Sequence, residues 1–215
     1  MPTLPHRSRW VQAAWLVLFA FAGACAGAEP ALDADYRVIP QQPVANPARI
    51  EVIDFFFYGC PHCNELRPRL ERWRESKPAD VDFRRIPTVR HDTWVPLART
   101  YYTLETMGEV ERLHAAVYHS YHVEDLGMSR ESVIAEWAKK QGLDADKFMA
   151  IYRSAEVTQQ VERARKLTRD YDIEGTPSLI VDGRMLMEGS LPETIDVLDA
   201  LVKIARQRRT ENKSK

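Results

Sequence analysis

Two cysteines three positions apart, Cys60 and Cys63, are the residues whose type and spacing could do chemistry in this chain. They close the stretch Val52-Ile53-Asp54-Phe55-Phe56-Phe57-Tyr58-Gly59-Cys60-Pro61-His62-Cys63. A β-branched and aromatic run ended by glycine predicts a buried strand. The following residues have helical composition, with Leu66, Leu70 and Trp73 spaced along one face. A strand–CxxC–helix unit puts the first cysteine where unpaired N–H groups and the positive end of the helix dipole can hold a thiolate. The second lies one turn further on, close enough to close a disulfide with the first. The chemistry predicted is reversible thiol–disulfide exchange, with Cys60 as nucleophile and Cys63 as its buried resolving partner.

The elements that must position this pair can be read in order. Pro30, Pro40, Pro43 and Pro47 surround a short strand-like piece, Tyr36 to Ile39, which prolines confine to a sheet edge. The central strand runs from Ile50 to Tyr58. The helix after the cysteines carries Pro68 in its interior, which predicts a kink near residue 64 or 65, and Pro78 helps to end it. Val81 to Ile86 alternates as a third strand. From about His91 to Tyr171 the spacing is helical: Trp94, Leu97, Tyr101 and Leu104; then Val110, Leu113, Val117 and Tyr121. Ser129 is the expected cap of a helix carrying Val133, Ile134 and Trp137. Asp144 or Ala145 opens a short one, and Val157, Val161, Ala164, Leu167 and Tyr171 give the clearest apolar stripe. Pro177 to Val181 and Arg184 to Met187 form a hairpin, with Asp182-Gly183 predicting a two-residue turn. Pro192 opens a last helix, and Arg206 to Lys215 is a polar tail expected to fray. The predicted boundaries are 1–28 for a leader, 29–90 and 172–208 for two parts of one domain, 91–171 for a helical insertion and 209–215 for the tail.

Composition narrows the function classes. A formal charge of -1 over 215 residues gives no electrostatic footprint for nucleic acid. Arg7 and Arg9, the apolar run Trp10 to Ala22 and the small-residue pattern Ala26-Gly27-Ala28 read as a secretory signal cleaved near Ala28. Cleavage removes two basic residues and no acid, taking the formal charge from -1 to -3. Two alternatives are an uncleaved anchor and a lipoprotein acylated at Cys25 after Ala22-Gly23-Ala24. Export favours an oxidising compartment. Zinc would require two ligands beyond this CxxC, no other cysteine survives cleavage, and His91, His114, His119 and His122 read as surface histidines on helices. A cysteine-protease nucleophile would want one cysteine and a distant histidine rather than this pair. Alternation puts Asp54, Phe56 and Tyr58 on one strand face, so a solvent-facing Asp54 would expose two aromatics.

The order β-β-α-β, helices, β-β-α is that of an α/β thioredoxin-like fold interrupted by an all-helical insertion. Phe55 to Cys63, Gly175-Thr176-Pro177-Ser178-Leu179-Ile180-Val181-Asp182-Gly183 and the helical block between them resemble the DsbA family of bacterial periplasmic thiol:disulfide oxidoreductases. Pro61-His62 between the cysteines is that family's usual pair. The resemblance implies a Cys60–Cys63 redox disulfide donated to newly exported proteins, with the His62 imidazole stabilising the Cys60 thiolate. It implies a buried acid at Asp54, where the family usually has Glu, accepting or relaying a proton as Cys63 attacks a mixed disulfide. It also implies a cis Thr176–Pro177 bond whose backbone pairs with an extended client, with Thr176 departing from the Val of the best-known members. It implies a soluble periplasmic monomer reoxidised by a DsbB-like quinone-linked membrane partner, with no organic cofactor and no metal. The alternatives are a reductase or isomerase on the same fold, or a chaperone-like peptide-binding protein with incidental cysteines.

Overall fold

Seven consecutive apolar or buried residues decide the architecture. The computed structural model describes residues 30–189 and 192–213; the expected leader and Cys25 lie outside them. Strand β2 (Ile50–Phe56) is buried along its whole length. A strand buried on both faces needs neighbours on both edges and a layer above and below. On one edge it pairs parallel with β3 (Val81–Pro87), and on the other antiparallel with β4 (Ser178–Val181). Strand β5 (Met185–Glu188) pairs with β4, and the two-residue β1 (Arg37–Val38) closes the edge, giving the order β1-β5-β4-β2-β3.

Helix α1 (Pro61–Ser76) and helix α7 (Thr194–Lys213) cover one face, their Leu66, Leu70, Trp73, Leu198 and Leu201 packing with Ile50 and Val52. Trp73 Nε1 donates to Asp199 Oδ1 at 2.7 Å, tying the two helices together. The insertion holds α2 (Val95–Met107), α3 (Val110–His122), α4 (Glu131–Lys140), α5 (Ala145–Tyr152) and α6 (Ala155–Asp170). Its core is continuous with Ile53 and Phe55 of β2, so insertion and sheet share one apolar interior. Each such buried Phe or Ile contributes about 1.5–3 kcal/mol of apolar transfer. Asp144 and Ser154 cap α5 and α6, accepting from the main-chain N–H groups of Lys147 and Val157.

Four local expectations are corrected. Helix α4 is capped by Arg130 and not by Ser129: the turn closed by the Arg130 N–H on the Gly127 carbonyl (3.0 Å) moves the helix start along the chain. In the β4–β5 hairpin Val181 pairs with Met185, so three residues, not two, form the loop. Asp182 and Gly183 both have positive φ as expected, but the Gly183 and Arg184 carbonyls accept from Gln42 and Ile39 of the lead-in. A side chain at Gly183 would place its Cβ 2.5 Å from the Gln42 carbonyl oxygen. The last helix begins at Thr194, not at Pro192, which lies in a turn. The polar tail stays helical through Lys213, because Arg206 pairs with Asp80 and Arg209 with Asp182. Pro68 lies inside α1, and the helix continues past it to Ser76.

Candidate active site

The site begins where β2 ends. The Cys60 N–H donates to the Phe57 carbonyl at 3.0 Å, turning the chain into α1 with Cys60 as its N-cap and Pro61 at the first helical position. Gly59 is required in this turn, since a Cβ there would fall 2.5 Å from the Phe57 ring. That ring is itself fixed by stacking on Trp94, with centroids 4.0 Å apart and planes 3° from parallel.

Both thiols are free, and their surroundings differ. Cys60 is half-buried, and its Sγ lies 3.1 Å from the Thr176 carbonyl oxygen, to which the thiol donates. Thr176–Pro177 is a cis bond, as the resemblance implied. Ser178 Oγ donates to the Gly175 carbonyl at 2.9 Å and braces it. A hydrogen bond from the Cys63 thiol is the main influence bringing the Cys60 thiol down to about 5. Partial burial opposes it, and the Thr176 side chain and the Cys63 and His62 main-chain N–H groups add to it. Cys63 is 3% exposed, and burial, reinforced by the bond it gives Cys60, pushes it far above the ordinary thiol range. One sulfur is therefore a thiolate near neutral pH and the other a thiol. His62 is exposed, and its main-chain N–H is among the groups that lower the Cys60 thiol.

Asp54 is buried as the alternation required. Burial raises its carboxyl to about 7, against the pull of the Arg85 charge. Arg85 faces it across the β2–β3 register, yet gives its hydrogen bond to Glu111. A small cavity of about 10 Å³, room for about one water, joins Asp54, Cys63, Glu71, Arg85, His114 and Pro177. Asp54 and the Cys63 thiol share this space.

The insertion supplies part of this cavity, which sequence reasoning missed. His114, read as a surface histidine, is 3% exposed, and its Nδ1 lies 2.8 Å from the Tyr58 hydroxyl. Burial holds its ring well below the ordinary histidine range, in the neutral form. His122 Nε2 donates to the Tyr58 carbonyl, also at 2.8 Å. The signal was available: His114 falls four residues after Val110 and three before Val117, on the apolar stripe. Among the described residues, no three His, Cys, Asp or Glu side chains are grouped to hold a metal ion, and no helix is long and apolar enough to cross a membrane.

A strand-to-helix turn with an asymmetric cysteine pair, a cis-proline loop against the outer sulfur and a buried acid near the inner one is an arrangement suited to thiol–disulfide exchange. A family model described as DSBA-like thioredoxin domain matches residues 93–197. The thiol:disulfide interchange protein DsbA of Burkholderia cepacia is 35% identical over 188 residues, covering 85% of this chain and 89% of that one. The chain belongs to the DsbA family. DsbA of Pseudomonas aeruginosa strain PAO1 is 34% identical over 168 residues, 76% of this chain and 80% of that protein. The crystal structure of P. aeruginosa DsbA superposes with a TM-score of 0.80 at 31% identity, over 84% of this chain and 97% of that one. DsbA from Xylella fastidiosa gives 0.78 at 29% identity, over 84% of this chain and all of that one. The fold is the thioredoxin-like DsbA fold with its helical insertion, and the protein is a thiol:disulfide oxidoreductase.

Proposed function

We propose that the protein works as a dithiol oxidase for exported proteins, and that Cys60 and Cys63 are its redox disulfide. The observation that carries this reading is the unequal treatment of the two sulfurs. A reduced form stabilised at the Cys60 thiolate makes the disulfide form a strong oxidant, since reduction releases that stabilisation.

In the reaction a client thiolate attacks Cys60 Sγ. The Cys60–Cys63 bond breaks, Cys63 leaves with the electron pair, and Asp54 supplies the proton that makes it a thiol. A second client thiolate then attacks the client sulfur of the mixed disulfide. Cys60 departs as a thiolate held by Cys63, Thr176 and the first turn of α1. The client has lost two electrons, and its two protons have gone to solvent; Cys63 holds the proton that Asp54 gave up, and solvent returns one to Asp54. Thr176 and Pro177 form the edge against which the extended client lies, its backbone pairing with Thr176. Pro61 starts α1 so that the helix's N–H groups face the sulfur, and the His62 imidazole serves as a further stabiliser of the Cys60 thiolate.

The periplasm is the compartment this role needs, with cleavage near Ala28 and a soluble monomer as product. A DsbB-like quinone-linked membrane protein would restore the disulfide. Residues 29–90 and 172–208 form the redox domain in two parts, with 91–171 as insertion.

Stopped-flow mixing of the oxidised protein with a reduced, unfolded two-cysteine client tests the reading. Stoichiometric client oxidation, abolished in Cys60→Ser, is expected. Retained client effects in Cys60→Ser would give the peptide-binding alternative, and an unoxidised client, with a disulfide-bonded client reduced by the reduced protein, would give a reductase.

A further inference from the structure

The cavity that joins Cys63 and Asp54 is closed by a helix from outside the redox domain. From α1 it is lined by Cys63, Arg67 and Glu71, from β3 by Arg85, and from α3 by His114 and Tyr118. The charged and titratable groups around it are nearly all tied to one another. Arg67 pairs with Glu71 at 3.3 Å, Arg85 with Glu111 at 3.2 Å, and Tyr101 donates to Glu105 at 3.2 Å. Asp54, by contrast, has no hydrogen-bond or ion-pair partner among the described residues. His114 is fixed from both sides of its ring, by the Tyr58 hydroxyl and by edge contacts with Phe56 and Tyr118 at centroid distances of 5.2 and 5.3 Å. His122, two turns on, holds the Tyr58 main chain and so keeps α3 seated against the turn that leads to Cys60.

We propose that α3 is the wall that keeps bulk water from Asp54, and that His114 is its positioning residue, locked by Tyr58 against the Cys63–Asp54 cavity. The insertion thereby sets the proton affinity of the acid that serves Cys63. A neutral, hydrogen-bonded ring closes the space without adding a charge, whereas an ionised group there would move Asp54 by direct Coulomb interaction. The inference rests on the reading that Asp54 serves Cys63, and it is tested by a readout that does not depend on that role.

The readout is the ¹³C shift of the Asp54 side-chain carboxyl in the reduced full chain, titrated by NMR and assigned through its loss in Asp54→Asn. His114→Ala opens the wall and is expected to lower the titration midpoint by about one unit or more toward the ordinary carboxylate range. His114→Gln keeps bulk and an amide within reach of the Tyr58 hydroxyl, and restores most of the midpoint. Should His114→Ala fail to fold, Tyr58→Phe decides by the same titration: it removes one hydroxyl, frees the ring and lowers the midpoint by a smaller amount. An unmoved midpoint in whichever of these two variants folds overturns the proposal, as does a Gln variant no closer to the parent than Ala. A lowered midpoint with unimpaired client oxidation by Asp54→Asn would leave the wall standing and remove the catalytic reading of Asp54.

Discussion

Strand β2 buries two carboxylates three residues apart, Glu51 and Asp54, and surrounds them differently. Glu51 lies at the end of the strand away from the cysteines. Its Oε1 accepts the Ala45 N–H at 3.1 Å and sits 3.1 Å from Arg84 Nε. Around it a web of ion pairs fastens the far end of the sheet: Arg49 to Asp82, Arg206 to Asp80 and Arg209 to Asp182. Asp54 faces the next arginine in register, but Arg85 gives its hydrogen bond to Glu111, and the carboxyl is left in a cavity with a thiol. One end of the strand ties one oxygen of its buried acid, Oε1, to the Ala45 N–H and Arg84 and gains order, although Oε2 has no hydrogen-bond partner. The other buries its acid beside a thiol, and burial raises its proton affinity, which is what the proposed proton transfer to Cys63 requires.

The sharpest way to break the comparison is Asp54→Asn. The folded carboxyl keeps its proton up to about pH 7, whereas an unperturbed aspartate loses it near 3.8. Between those values the folded state binds more protons, so Asp54 makes stability fall as pH rises through that window. Asp54→Asn is expected to remove the fall and to add roughly 2–4 kcal/mol at pH 8, read by urea unfolding of oxidised protein. The same variant is expected to slow client oxidation about 10²-fold. A stabilised but slower protein is the signature of an acid retained for function.

Glu51→Ala is expected to do the reverse. It strands the Ala45 N–H and Arg84, lowering stability by about 1–3 kcal/mol while leaving the client oxidation rate unchanged. Arg209→Ala, which loses Asp182 and the Pro47 carbonyl, is expected to lower stability by about 1 kcal/mol, again with no effect on rate. The exposed Arg37–Asp172 pair marks the small end of the scale: Arg37→Ala is expected to change unfolding by under about 1 kcal/mol. Any of these three slowing client oxidation tenfold would erase the distinction between the two ends.

What the residues disclosed followed from locality. The strand, the Gly59 break, the CxxC and the Thr176–Pro177 loop are contiguous motifs, and alternation alone required Asp54 to be buried. His114 and Tyr118 were hidden because their partner, the turn at Tyr58, lies more than fifty residues earlier in the chain. A histidine on an amphipathic helix reads as solvated unless its place on the apolar stripe is weighed. Arg85 was hidden for a related reason: its role depends on the β2–β3 register and on Glu111, which no local pattern supplies. The hairpin loop length was misread because its carbonyls bond to the lead-in at Gln42 and Ile39, a tertiary preference invisible in Asp182-Gly183.

The thiolate makes its own pH prediction. Cys60 in the folded reduced protein loses its proton near pH 5, well below an ordinary thiol. The unfolded chain therefore binds more protons between those values, and the reduced form gains stability as pH rises through them, an advantage lost as pH falls through 5. The oxidised form has no such titration, so the gap between the two forms widens with pH over that window. Parallel unfolding curves of both forms at several pH values read it directly.

The central claim is that the site stabilises its reduced form enough to make its disulfide an oxidant. The most direct test is the reduction potential of the Cys60–Cys63 couple, from equilibration of the protein in graded glutathione buffers at neutral pH. The account predicts a potential well above that of the glutathione couple, with the reduced form dominant even in weakly reducing mixtures. A potential at or below thioredoxin's would contradict it and make the protein a reductase.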